Sequence, residues 1–250
     1  MGRGPGARVL FLALSASLLA PAVQASDAAD WLNRARGLLQ AVPGSAAAGN
    51  PGNETLVRGL DEALRFATDR AVTRLGRPDG FNADARVRIP LPAGVRSLRD
   101  QLARFGLSGR LDDLEVRLNR AAERAAPEAA DLFIQAIAAL RYDDARRILN
   151  GPDDAATSYF RRQMTAPLQQ RFRPIIDREL AEAGAVQLYD SLTREIAALP
   201  FLPDVKGDLV DHALAGALEG LFDTLAREET AIRRDPAKRT TALLREVFGR

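Results

Sequence analysis

The 250-residue chain has no cysteine, a single histidine (His212) and only 6% aromatic residues. Disulfide staples, thiol catalysis, and zinc, copper or haem sites built from nitrogen and sulfur ligands therefore lack their residue types. Lys and Arg total 35 against 33 Asp and Glu, a balance of +2, so there is no global field to draw in nucleic acid or an anionic membrane surface.

The first residues read as an export signal. Arg3 and Arg8 give a positive start, Val9 to Ala20 an apolar run, and Val23-Gln24-Ala25 a small-residue cleavage site. The apolar run is shorter than the roughly 20 residues that span a bilayer. Residues 1–25 are thus expected to be a signal peptide cleaved after Ala25, leaving a periplasmic protein with no transmembrane anchor. Cleavage removes two arginines and no acid, which leaves 33 basic against 33 acidic side chains. Lys206 and Lys238 are the only lysines, so nearly all the positive charge is guanidinium.

Residues 26–52 read as a short helix from Asp27 to about Val42, bearing Trp31 and Leu38-Leu39, followed by a Gly/Pro/Ala linker. The remainder, 53–250, reads as one helical domain. Asn53 is expected to cap a helix over Glu54–Leu75, with Leu56, Leu60, Ala63, Leu64, Ala67, Ala71 and Leu75 on one face. Helicity breaks at 76–92. There Pro78-Asp79-Gly80 is turn chemistry, and Val87 to Pro92 alternates around two prolines, as a short strand or an extended brace would.

Helical spacing resumes over Val95–Phe105, then from a Ser108 cap with Leu111, Leu114, Leu118, Ala121, Ala122 and Ala125 buried. Further helices are expected from Pro127 to Leu140 and from Asp143 to Asn150. One opens at Pro152-Asp153-Asp154, and the next opens at Thr165-Ala166-Pro167 and passes Pro174 to Gly184. Val186–Leu199, Val205–Arg234 and a terminal helix after the Asp235-Pro236 cap complete the series. The fold class is all-α: an irregular bundle of about nine or ten helices with one extended segment, and no fixed-period repeat.

Seven stretches in order carry a family resemblance: GLDEAL (59–64), RLGRPDGF (74–81), VRIPLP (87–92), LNRAAERAAPEA (118–129), GPDDAATSYFRR (151–162), AREETAIRRDP (226–236) and LLREVFG (243–249). Together they resemble the domain of unknown function 4197 family, from about Asn53 to the C-terminus. The resemblance implies an all-helical exported bacterial protein. It brings no activity, cofactor or catalytic residue.

The acidic doublets Asp112-Asp113, Asp143-Asp144, Asp153-Asp154 and Glu228-Glu229 are the candidates for oxygen-ligand chemistry. Asp112-Asp113 and Asp143-Asp144 fit first helical turns, where the macrodipole favours acids, and Glu228-Glu229 fits an ion-paired surface. Neither a metal nor a cofactor is expected. His212 has no G-x-S-x-G serine elbow to serve and reads as a partly packed helix residue.

Polar residues are densest at Gly151 to Arg162. There Asp153, Asp154, Thr157 and Tyr159 are expected to line a polar pocket, joined by Arg88 or Asn119. The leading function is non-enzymatic binding in the envelope, of a partner protein or a small or lipidic ligand. The first helix with Trp31 is a second candidate for partner or membrane contact. The alternative is a carboxylate-dependent hydrolase of envelope polymers, which would need two facing carboxyl groups in a cleft.

Overall fold

The computed structural model describes residues 51–97, 103–104, 108–197 and 208–239, together with 241 and 245. Seven helices of eight or more residues lie within them: α1 (Pro51–Gly76), α2 (Ser108–Ala125), α3 (Ala129–Ala138), α4 (Tyr142–Leu149), α5 (Ala155–Glu182), α6 (Ala185–Ala197) and α7 (Leu209–Arg234). A single turn at Ala93–Ser97 and 3₁₀ turns at Ala126–Glu128 and Pro236–Lys238 join or follow them, and no strand occurs among the described residues. The all-α expectation holds. The expected nine or ten helices exceed the seven seen here, and residues 1–50, with the signal segment and the Trp31 helix, lie outside the described residues.

Two boundaries differ from the sequence reading, the second for a clear physical reason. Pro51, not Glu54, begins α1, so Asn53 lies inside the first turn rather than capping it. The two helices expected on either side of Thr165 are one 28-residue helix, α5, which runs through Pro167 and Pro174. Each proline removes an amide hydrogen and normally breaks a helix. Here Phe160, Met164, Leu168, Phe172, Ile176 and Leu180 recur every fourth residue and are all buried, and that continuous stripe outweighs the two lost bonds. The Thr165 hydroxyl adds a 2.6 Å bond to the Arg161 carbonyl.

α7 is the spine, packing against α5, α1 and α2. Asp208 starts it by accepting from the amides of Val210 and Asp211. At its centre Phe133 meets Phe160 and Phe222 edge-on at 5.6 and 6.3 Å, and the Arg161 guanidinium lies 4.8 Å over the Phe222 ring.

The expected break in helicity is there, but the segment is only partly extended: residues 77–87 form successive turns, and just 88–92 run without them, the whole making a brace laid across this spine. Asp79 takes a left-handed φ of 64° to make its turn. Phe81, Val87, Ile89 and Leu91 face inward, each at most 4% exposed. Each such burial contributes about 1.5–3 kcal/mol.

The brace has no sheet partner: its turns bond the amides of Gly80, Ala83, Asp84, Val87 and Arg88 to carbonyls within it, and side chains from α2 satisfy others. Asn119 of α2 acts as a substitute strand: its Oδ1 accepts from Ile89 N at 2.8 Å and its Nδ2 donates to Ile89 O at 2.9 Å. Glu123, one turn further, accepts from the amides of Phe81 and Asn82. On the α7 side, Gly216 and Gly220 clear the way. A Cβ at Gly216 would meet Ile89 Cγ2 at 2.8 Å, and one at Gly220 would meet Phe81 Cε1 at 2.6 Å. His212 Nε2 lies 2.7 Å from Pro90 O, and since a carbonyl only accepts, Nε2 carries the proton.

Candidate functional site: a polar groove between two helices

α4 and α5 diverge from a tight corner at Gly151-Pro152. A Cβ on Gly151 would lie 2.7 Å from Ala155 Cβ and 3.0 Å from Arg147 O, so the corner closes only around glycine. Between the diverging helices lies an open groove of roughly 570 Å³. Asp144, Arg147, Ile148 and Gly151 form one wall, spaced i, i+3, i+4, i+7. Ala155, Ser158, Tyr159, Arg162 and Gln163 form the other, spaced i, i+3, i+4, i+7, i+8. Each set is one face of one helix. Two helices leaving a short corner normally fill the inside of the V with apolar side chains. Here most inward positions are polar.

The polar groups are unevenly committed. Asp144, in the first turn of α4, accepts from Arg147 Nη2 at 2.5 Å and, at a long 3.5 Å, from the Tyr159 hydroxyl. Burial first, and then the neighbouring Asp144 charge, push the Tyr159 phenol above its usual range. It therefore stays protonated and donates at neutral pH. Arg147 is 78% exposed, leaving most of its fork free. Arg162 makes no hydrogen bond or ion pair with any described residue. Pro152 and Ala155 give the groove an apolar patch, beneath which Ile148 is buried in the core.

Of the six residues expected to share a pocket, Tyr159 lines this groove and the other five do not, four of them being engaged elsewhere. Thr157 points into the core, where its amide and hydroxyl both donate to Glu229 at 2.9 Å. Helix geometry explains the division: positions 157 and 159 are about 200° apart around an α-helix and face opposite ways. Asp153 pairs with Arg234. Asp154 precedes the first helical residue but makes no side-chain cap bond.

Arg88 reaches Glu115 at 2.8 Å and Asn119 holds Ile89, both at the brace. The brace crosses α7 at Gly216, whereas Glu229, on the same helix, meets the start of α5. The helix rises roughly 20 Å between those positions. Arg147, Ser158, Arg162 and Gln163 were not singled out as pocket residues from sequence. Their shared helical spacing on either side of Gly151 was the available signal.

The acidic doublets separate in the same way. Glu228 pairs with Arg70 at 2.9 Å, close to expectation. Glu229 does not: it is 6% exposed, and its Oε1 accepts from Ala156 N at 2.9 Å and from Arg233. It caps α5 from 73 residues away, doing what a local N-cap side chain would do. Asp113 pairs with Arg117, in the second turn of α2 rather than the first. No group of three or more His, Asp or Glu side chains that could hold a metal occurs among the described residues. None of the described helices is long and apolar enough to cross a membrane.

The groove can hold a ligand but is poorly equipped for bond making or breaking. It contains one carboxylate, no histidine and no base beside Ser158. The buried acids Glu115, Glu123 and Glu229 are bonded to guanidinium groups, and the latter two also to backbone amides. Comparison with curated proteins and with solved structures finds no match. A family model does match, over residues 50–249, which include every described residue. The chain belongs to the family described as protein of unknown function (DUF4197).

Proposed function

We propose that this is an exported, non-enzymatic binding protein of the bacterial envelope, and that the groove between α4 and α5 is its ligand-binding element. The observation that carries the reading is the inside of the α4–α5 corner. Tyr159, Arg162, Gln163 and Ser158 face Asp144 and Arg147 across a ligand-sized space where an ordinary helical corner buries apolar side chains. Export rests on the N-terminal charge, apolar run and small-residue site. The hydrolase alternative asks for two opposed carboxyl groups, and the groove offers Asp144 alone.

Native mass spectrometry on protein taken from the periplasm of its own host tests this directly. The expected spectrum shows a chain beginning at Ser26 and a second population carrying extra mass, which Tyr159→Ala together with Arg162→Ala removes. A chain retaining residues 1–25 overturns the export reading. Extra mass that survives the double substitution, or a wholly unliganded chain, overturns the groove.

A further inference from the structure

The groove's own charges say what kind of ligand it takes; this step rests on the binding reading above. Its donors outnumber its acceptors. Arg162 is uncommitted among the described residues, Arg147 gives one arm of its fork to Asp144, the Tyr159 hydroxyl is held protonated, and Ser158 and Gln163 add further donors. Against them stands one carboxylate, Asp144, only 14% exposed and already accepting from two groups. Two guanidiniums against one acid leave the site one positive charge in excess. Ile148 is covered by the core at 2% exposure, but Pro152 and Ala155 beside it keep apolar surface open to the groove, which suits the carbon body of a ligand.

We infer that the groove binds a small organic anion, its carboxylate or phosphate on the Arg162 guanidinium and its apolar body against Pro152 and Ala155. A guanidinium fork offers paired N–H donors that match the oxygens of either group. The Tyr159 ring, half-buried at the groove wall, closes one side of the space for the body. Asp144 has a double effect: it aligns Arg147 and Tyr159, and its charge opposes the ligand's. Removing that charge without changing its shape is therefore a signature that a generic sticky surface would not give.

Four probes separate the possibilities by calorimetric titration of the full chain: hexanoate, hexyl phosphate, 1-hexanol and inorganic phosphate. The expected order places hexanoate and hexyl phosphate about tenfold or more tighter than hexanol, and also tighter than inorganic phosphate, which lacks the body. Arg162→Ala should weaken both organic anions about tenfold and leave hexanol unchanged, while Arg162→Lys recovers part of the loss. Asp144→Asn should tighten the organic anions several-fold by removing a like charge. Arg178→Ala, at the far end of the same helix, should change neither.

Hexanol binding as well as hexanoate would overturn the anion inference while leaving a binding groove in place. Anion affinity unmoved by Arg162→Ala, or weakened by Asp144→Asn, would overturn it too. If no probe binds up to about 10 mM, a range in which ligands of millimolar Kd are readily detected, the anion inference fails. The extra mass seen by native spectrometry then decides separately whether the groove binds anything.

Discussion

Replacing Glu229 by glutamine is the sharpest test of how this fold is held together. The carboxylate receives three donors from the start of α5: Ala156 N on Oε1, and Thr157 N and Oγ1 on Oε2, each at 2.9 Å. Arg233 adds Nε and Nη2 on Oε1, at 3.1 and 2.9 Å. Glutamine keeps the shape but offers one acceptor oxygen, so its amide NH₂ must face either Ala156 and Arg233 or Thr157. Breaking a buried pair from one side costs about 3–5 kcal/mol. Arg233 keeps its bonds to the carbonyls of Ile148 and Leu149, which places the expected loss at the lower end of that range. At about 2–4 °C per kcal/mol for a chain of this size, the melting temperature should fall by about 10 °C.

Glu229→Ala provides the confirming arm. It opens space beside an existing void of about 10 Å³ lined by Thr68, Thr157 and Arg233, still facing two amides and a guanidinium. Formate should enter that space and restore about 1.4 kcal/mol at ten times its dissociation constant, with no such effect on the parent chain. Glu228→Ala, one residue away on a partly solvated pair with Arg70, should cost under about 1 kcal/mol. Calorimetric unfolding of the four chains decides it. A Glu229→Gln chain melting within about 2 °C of the parent, or formate stabilising parent and Glu229→Ala alike, would refute the cap assignment.

Two further outcomes follow from the brace, and a third, in the first turn of α2, serves as their control. Asn119→Leu leaves both the amide and carbonyl of Ile89 buried without partners and should cost roughly 2–6 kcal/mol in urea unfolding. Gly220→Ala drives a methyl into the Phe81 ring and should cost about 1–3 kcal/mol. By contrast, Gly109→Ala, with nothing within 4 Å of its added carbon, should be neutral or stabilise by up to about 1 kcal/mol.

Acid should also loosen the brace. The Arg86 side chain donating to Asp84 holds that carboxyl below its usual range, and Asn82 lowers Asp79 likewise. A folded pKa below the unfolded one means the unfolded chain binds more protons. That stability is present above the ordinary carboxylate range and lost as pH falls through and below it. Asp84→Asn should therefore flatten the acid limb of melting temperature against pH, and an unchanged limb would exclude this carboxylate as its source.

Much of the fold was readable because helical burial is a local signal. Leu60, Ala63, Leu64, Ala67, Ala71 and Leu75 announce the inner face of α1, and all are buried. The brace was readable as a departure from that pattern, with Pro90 and Pro92 forbidding a helix interior. What holds it was not, since Asn119 and Glu123 lie 30 to 42 residues from the amides they satisfy. A mid-helix Asn or Glu looks like surface until its partner is known. Pro167 misled in the opposite direction, because a proline rule is local whereas the Phe160-to-Leu180 stripe that overrides it becomes visible only when the whole helix is considered.

The same distinction governs how polar density should be read in this fold. Around Gly151 to Arg162 the sequence concentrates polar groups, but the helix sorts them onto opposite sides. Thr157 goes inward to Glu229, and Ser158, Tyr159 and Arg162 go toward α4. The inward group has a complete set of partners, and so do Glu123 under the brace and Asn119 beside it. A buried polar group with all its bonds made within the chain is explained by folding alone. The outward group differs in kind: its arginine makes no hydrogen bond or ion pair with any described residue, and the walls are joined across the groove by the long Tyr159–Asp144 contact. Stability does not require that arrangement. Filling the V with apolar side chains would hold α4 to α5 more firmly, which gives a second reading of the site. Apolar substitution at Ser158 and Arg162 together should raise the melting temperature while abolishing anion binding, the trade-off expected where function rather than folding sets the residue.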